Sequence, residues 1–570
     1  VMLLEANRPI ENVTGGDSMN VIDHMRAPCR LSMLAMAVAT IFSIPAAQAF
    51  NIETGNSDLK VNWDNTVKYT AAYRINNPDQ NVAISSANPN VDFGDLGHQR
   101  GLINNRADLL SELDVKYKNI GLRVSGAAWY DAEYAKDTND FNGAAPNNQL
   151  QLSGAPLNRT TKGSQNLMGK RAEIADAFVF GKFALNDEQN LTVRAGQHTL
   201  LFGETLFLGA NGIAAAQGPV DLVKAFSLPN AQFKEIAMPV GQISASWQIS
   251  PGMSLSAYTQ YEWKPMRLPA AGSYFSMADF VGDGADLLLA PNGPAFRTGD
   301  AKGSNTGQFG LQFKFKVGDV DYGLYAARYD DKGPQAVLNW NSHTYNLMYA
   351  KNIEMYGVSA STVLGETNVA IEMSTRRNTP LGVVGDLLIN TMANADNDKN
   401  TPYARGNSFH LNLSAITLLP ATPLWHGASF VGEFAYNRLL DVTHNPVNSV
   451  TNLPALNSTH TRDASAFRFV FQPEYFQVMP GVDLQVPIGV GYGLSGRSAI
   501  FQVAPEHGGD ISIGFNFDIQ KTWKAGLNIV HYFGPAGPAP AVNVAAGTYA
   551  SYKNYYADRD YVSFTVQRTF

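Results

Sequence analysis

From residue 59 to the end of the chain, apolar and polar side chains alternate one by one in run after run. Phe309, Leu311, Phe313, Phe315 and Val317 are separated by Gln308, Gly310, Gln312, Lys314 and Lys316, and Gly318-Asp319 then turns the chain into Val320, Tyr322, Leu324 and Ala326. A pleated strand sends successive side chains to opposite faces, so each run is a strand with one apolar and one polar face. A two-residue loop opening with Gly suits an antiparallel hairpin. Similar pairs recur at 107–118 with 120–131, 172–184 with 190–197, 241–250 with 253–263, 336–350 with 353–376, 407–418 with 427–438, 465–476 with 481–494, and 509–520 with 522–533. With an opening strand at 59–73 and a closing strand at 559–570, the eight hairpins give 18 candidate strands. Segment 353–376 reads as one tall strand or as two broken at Gly365-Glu366, so the expected range is 16 to 20.

Connections inside the pairs are short, while those between pairs (74–106, 131–171, 264–306, 377–406, 439–464, 534–558) are long and rich in Gly, Asn, Asp and Pro. Short turns at one end, long loops at the other and an even strand count predict an all-β transmembrane antiparallel barrel of the bacterial outer-membrane type. The polar faces carry Lys60, Asp64, Lys68, Glu112, Asp114, Lys116, Arg123, Gln312, Lys314, Lys316, Asp483, Gln485, Asn516, Asp518, Lys524 and Asn528, too many polar groups for a dry core. About eighteen strands enclose a water-filled lumen unless loops occupy it. Trp63 with Tyr73, Trp129 with Tyr130, Tyr261 with Trp263, and Trp523 with Phe533 sit toward strand ends, where rings suit headgroup girdles.

Composition removes the competing classes. Charged residues make up 16% and hydrophobic residues 45%, which fits neither a disordered chain nor a coiled coil, and a formal charge of −7 leaves no footprint for nucleic acid. Arg26 and Arg30, the apolar run Leu31 to Ile44 and Ala47-Gln48-Ala49 read as a secretory signal at 25–49, cleaved after Ala49, behind an upstream extension at 1–24. The barrel is then expected over 50–570, in the bacterial outer membrane. The one cysteine, Cys29, leaves with the signal. At the other end Val562, Phe564 and Val566 alternate toward Phe570, which resembles the terminal strand read by the outer-membrane insertion machinery; Arg568 departs from that pattern.

Four stretches, Asp58 to Tyr69, Asp108 to Val115, Gly203-Glu204-Thr205-Leu206-Phe207, and Pro219 to Lys224 with Phe233-Lys234-Glu235, together resemble the proteobacterial domain of unknown function 1302 family. The resemblance implies an outer-membrane barrel handling lipids, steroids or other hydrophobic compounds, in some cases beside an inner-membrane transporter. It implies no catalytic residue.

Residues 201–240 resist the alternation: Pro219, Pro229 and Pro239 bracket a mixed stretch that predicts a loop with a helical turn, folded into the barrel as a constriction or plug. Its charges, Glu204, Asp221, Lys224, Lys234 and Glu235, are the candidate solute contacts, with wall anchoring as an equal alternative. His198, Glu204 and Ser227 are the residue types an acyl-transfer site would use, but nothing in their spacing requires them to meet, and a solvated loop histidine is the preferred reading. Asp396, Asp398 and Asn400 imitate a calcium loop, but Thr401 stands where Gly is needed. Gly491 to Gly496 matches G-x-G-x-x-G inside a strand, without the βαβ unit a dinucleotide requires. No catalytic residue, cofactor or metal is expected. The expected activity is passive passage or uptake of small, hydrophobic or amphipathic solutes. The alternatives are a plugged structural or export partner of an inner-membrane lipid transporter, or a barrel enzyme acting on lipids. Expected contacts are outer-membrane lipid and lipopolysaccharide, solute and the insertion machinery, with no nucleic acid.

Overall fold

The computed structural model describes residues 50–83, 90–91, 93–143, 153–290, 292–382, 387–456, 458–537 and 552–570. The expected signal and upstream extension lie outside the described residues. No described helix is long and apolar enough to cross a membrane.

Eighteen antiparallel strands close into a barrel. They are β1 (Leu59–Arg74), β2 (Gly101–Tyr117), β3 (Ile120–Asp131), β4 (Lys170–Ala184), β5 (Asn190–His198), β6 (Val240–Ser250), β7 (Met253–Gln260), β8 (Gln308–Val317) and β9 (Val320–Tyr329). The second half comprises β10 (Ile353–Leu364), β11 (Thr367–Leu381), β12 (Ala404–Leu419), β13 (Gly427–His444), β14 (Asp463–Met479), β15 (Val482–Gln485 and Ile488–Ser495), β16 (Gly509–Ile519), β17 (Trp523–Phe533) and β18 (Tyr561–Thr569). Closure comes from β1 against β18, in register from Thr66↔Thr569 to Arg74↔Tyr561, and Phe570 exchanges backbone hydrogen bonds of 2.9 and 2.7 Å with Asn65. One further strand, Phe50–Ile52, pairs with the start of β1. Turns of two to seven residues (118–119 the shortest type, 420–426 the longest) alternate with long loops. The loops are L1 (75–100), L2 (132–169), L3 (199–239), L4 (261–307), L5 (330–352), L6 (382–403), L7 (445–462), L8 (496–508) and L9 (534–560).

The count of 18 is reached by a different route from the one expected at one hairpin. Segment 353–376 is two strands, β10 and β11, turning at Gly365, whose φ of +61° is the left-handed conformation glycine tolerates. Segment 336–350 is not in the barrel: Gln335–Asn339 and Thr344–Met348 form a hairpin in a separate five-stranded sheet with Leu287–Ala290, Gly293–Arg297 and Leu387–Asn390. Three loops, L4, L5 and L6, build that sheet around buried Leu288, Ala295, Leu338, Tyr345 and Leu347, so its strands are covered on both sides and local alternation cannot distinguish them from barrel strands. Expected strand 481–494 is interrupted at Val486-Pro487, because proline has no N–H for the ladder; the Pro487 carbonyl still accepts from Gly514 at 2.9 Å.

The apolar residues of each strand face outward, with Leu109, Ile174, Val179, Leu311, Leu324, Val358, Leu413, Leu527 and Phe564 exposed. Trp63, Tyr73, Tyr130 and Tyr261 are exposed on that outer surface as expected of a girdle. Trp129 and Trp263 are corrections. Trp129 points inward beneath the Arg106 guanidinium, 4.6 Å from its ring, and Trp263 is buried among the loops with its indole N–H on the Asp331 carbonyl at 3.2 Å. Arg568 lies over the Trp523 ring at 5.0 Å, which accommodates a cation at a position where the terminal strand usually carries an apolar residue.

Above the barrel, Arg74 at the top of β1 pairs with Asp95 of L1 at 2.6 Å and Asp558 of L9 at 3.1 Å. Arg559 donates to the Ser276 carbonyl of L4 at 2.8 Å, and so ties three loops to one strand end.

Candidate functional site

L3 runs through the lumen. It contains a 3₁₀ turn (Ile213–Ala216) and two short helices, α1 (Leu222–Ser227) and α2 (Phe233–Ile236). The Asp221 carboxylate caps α1 by accepting the Lys224 amide at 3.0 Å, and the Glu235 carboxylate accepts the Gln232 amide ahead of α2 at 2.9 Å. Both helices are too short to persist alone, so wall contacts must hold them.

The first half of L3 is locked to β11, β12 and β13. Glu372 of β11 accepts the backbone N–H of Glu204 and of Ile213, each at 2.6 Å. Glu433 of β13 accepts three consecutive amides, Leu206 at 3.2 Å, Phe207 at 2.6 Å and Leu208 at 2.8 Å, together with the Asn412 amide group at 2.9 Å. Arg376 donates to the carbonyls of Asn211 and Gly212, both at 2.8 Å. Glu372 and Glu433 are each only 3% exposed. A carboxylate buried so deeply costs several kcal/mol unless donors surround it, and here the loop backbone is the donor. Gly203 and Gly212 make the fit possible, since a Cβ on either would collide with the Glu372 carboxylate. The stretch Gly203 to Phe207 therefore serves as the backbone half of this lock. On the apolar side of the same segment, Phe202, Ile213 and Ala216 pack against Tyr258, Tyr325 and Met355 of the wall.

The second half of L3 reaches the remaining walls. Asp221 accepts from Arg267 of L4 at 2.6 Å, and Arg267 also binds Glu173 of β4 at 2.7 Å. The Phe226 carbonyl accepts the Tyr561 hydroxyl of β18 at 3.2 Å, and its ring stacks on Phe275 at 5.6 Å. Asn230, with a φ of +65°, accepts from Ser512 of β16 at 3.1 Å and packs over Gly489 of β15, where a Cβ would strike it.

The five charges singled out in the sequence thus divide. Glu204 is spent on the wall, paired with Lys314 of β8 at 2.7 Å, and Asp221 is spent on α1 and Arg267. Lys224, Lys234 and Glu235 remain exposed on α1 and α2, with the Lys224 ammonium also donating to the Glu235 carbonyl at 2.6 Å. Sequence reasoning missed Glu372, Glu433 and Arg376, which look like any other polar member of an alternating strand.

Another stretch of wall is wet. Arg123 of β3 binds Glu112, Asp114 at 2.8 Å and Asp176 at 3.5 Å, yet it stays 32% exposed. Its neighbours alternate in register with the outward apolar residues, so this solvent lies inside the barrel.

The acyl-transfer trio is not assembled. His198 hydrogen-bonds Ser244 at 2.8 Å, Glu204 binds Lys314, and the Ser227 hydroxyl donates to the Val223 carbonyl at 2.7 Å. A second Ser–His pair, Ser408 with His410, stands at 2.9 Å. Both pairs are buried in the wall, and the other imidazole nitrogen meets the Gly196 carbonyl or the Asn211 side chain instead of a carboxylate. They lack the accessible nucleophile and oriented base of an acyl-transfer centre. Asp396 uses its carboxylate on the amides of Asp398 and Lys399, at 2.8 Å each, and Asn400 at 2.9 Å, an Asx turn that needs no cation. Gly491 and Gly493 give room to Arg468 and the Pro505 carbonyl, which accounts for the glycine repeat by packing.

The family model described as "Protein of unknown function (DUF1302)" matches residues 30–570. No curated protein matches the sequence. Solved structures similar to it include OccAB1 of Acinetobacter baumannii (9% identity, 92% of this chain and 99% of that one, TM-score 0.41). OccK9 of Pseudomonas aeruginosa is another (10%, 90% and 98%, 0.39), as is OmpF of Salmonella typhi in complex with daunomycin (8%, 91% and 100%, 0.37).

Proposed function

The chain belongs to the DUF1302 family, and on that premise we propose that it is a bacterial outer-membrane channel through which small solutes pass passively, with L3 as the constriction. A closed sheet whose outside is apolar is the one β-architecture that a bilayer accepts, because every backbone group is paired without an edge. The observation that carries the channel reading is the half-exposed Arg123 cluster inside the barrel, which supports a water-lined passage beside L3. Such a wall favours amphipathic solutes over purely apolar ones, since a purely apolar molecule gains nothing beside four ionised groups. The loop charges left exposed, Lys224, Lys234 and Glu235, are the solute-contacting candidates; Glu204 and Asp221 hold the loop.

Planar-bilayer recording tests the reading. Discrete conductance steps are expected from the folded protein, and deletion of residues 205–238 is expected to enlarge them. An unchanged step size after deletion would refute the constriction. The breadth of wall contact, from Lys314 on β8 to Tyr561 on β18, favours a second reading in which L3 plugs the barrel until a partner displaces it. That reading expects silence from the intact protein and conductance from the deletion variant.

A further inference from the structure

Resting on the channel reading, we propose that the passage between L3 and the wall of β1 and β2 selects anions. Lys68 of β1 lies directly opposite Asp108 of β2 in register and within electrostatic reach of Asp108, Arg106 and Lys224 together. Of these, Asp108 is already paired with Arg106 at 2.6 Å. Lys224 comes from the other side, on the exposed face of α1, where its ammonium donates to a neutral acceptor, the Glu235 carbonyl, at 2.6 Å. Three cations therefore meet one carboxylate at the level where L3 narrows the lumen.

The surrounding charges do not cancel this excess. Arg171, Glu173, Arg267 and Asp221 form a chain of two cations and two acids linked at 2.8, 2.7 and 2.6 Å, and so sum to zero. Lys234 and Glu235 also balance. The remaining nearby carboxylate, Asp131, is buried against Asn104 at 2.7 Å and the amides of Asn105 and Glu133, and even counting it the sum stays positive. Glu372 and Glu433 stand on the opposite flank of L3, dry and filled by its amides. A narrow, low-dielectric opening with a fixed positive charge raises the local concentration of anions and repels cations, and charges at the narrowest level dominate selectivity. The Arg123 region, with three acids on one guanidinium, keeps about a third of its surface in water and is better screened by mobile ions.

The full protein in a planar bilayer under a potassium chloride gradient tests the proposal. Chloride is expected to permeate more readily than potassium, with the preference weakening as salt rises. Lys224→Glu combined with Lys68→Glu is expected to invert the order, whereas Lys521→Gln, in the turn at 520–522, leaves it unchanged. Hexanoate and hexylammonium, alike in size and opposite in charge, extend the test to organic solutes, and hexanoate is expected to pass faster. Conductance with potassium equal to or ahead of chloride would overturn the anion proposal and leave the channel standing. Absence of conductance from folded protein would overturn the channel reading and the proposal with it.

Discussion

The inner wall at β1 to β4 and the inner wall at β11 to β13 are written in the same alternating code, and they behave oppositely. At β3, Arg123 and its three acids keep roughly a third of their surface in water. At β11 and β13, Glu372 and Glu433 are sealed beneath L3 and satisfied almost wholly by its backbone amides. A polar position inside a barrel is thus either a wet lining or a socket for a loop, depending on what folds against it. Energetically the two cases differ, since a half-exposed ion pair contributes little net stability while a buried carboxylate is costly the moment its donors leave.

Removing the sockets should break the comparison most severely. Glu372→Ala with Glu433→Ala orphans five L3 amides, at roughly 1–3 kcal/mol for each buried unpaired donor. L3 is expected to detach, to become cleavable by added protease, and to raise conductance; full protection of the loop would contradict the lock. Isosteric Glu433→Gln should do less, because one oxygen still accepts.

Next in size is the pH response of the loops, where burial acts outside the strands. Burial holds His98 down to about 4, with the fields of Arg74, Arg559 and Lys136 adding to it, and pushes Asp558 up to about 7 with Asp95 adding to it. On acidification the folded form takes up a proton at Asp558 before the opened form does, which favours the closed form by relieving the cost of its burial and its repulsion with Asp95. His98 works in the other direction, since the opened form gains a proton near its ordinary value and the folded form does not until about 4. The two terms therefore oppose each other as pH falls below 7. Asp558→Asn should expose the His98 term, and the protection of L1 amides, measured as exchange relative to the free-chain rate at the same pH, should then fall as pH goes from about 6.5 to 4. The same protection at both pH values would refute it.

A smaller effect is expected at Gly489. Gly489→Ala forces Asn230 off the wall at a cost of about 1–3 kcal/mol of overpacking, read as faster protease cleavage near 230 with the barrel intact. Smallest in stability is Arg123→Ala, under about 1 kcal/mol because its pairs are half in water. Its effect is on selectivity, and three unbalanced carboxylates should make potassium more permeant. If Arg123→Ala instead melted the barrel, the wet wall would be as structural as the dry one.

Much of the barrel was legible because period two is a property of the strand itself. The alternating runs, the short turn at Gly318-Asp319 and the closing strand before Phe570 required no tertiary information. The hairpin at 335–348 was misassigned for a related reason: a buried strand in a loop sheet has the same local signature as a barrel strand, and its partners come from loops more than forty residues away, as when Ala336 meets Leu387. Trp129 and Trp263 also show that an aromatic near a strand end carries no label for inside or outside.

The site was legible only in part. An irregular proline-marked segment with five charges located L3, and Lys224, Lys234 and Glu235 are indeed its exposed charges. Its holding residues were invisible, since Glu372 and Glu433 lie more than 130 residues beyond it and differ from the wet acids Glu112 and Asp114 by nothing in their neighbours.

By itself the sequence determined that strands form, which face of each is apolar, and where the chain departs from that rhythm, because those follow from one-residue steps along the backbone. Tertiary structure alone decided which polar faces stay wet and which become sockets. Desolvation is set by whatever packs against a side chain, and here that is a loop folded back across the lumen from a distant part of the chain.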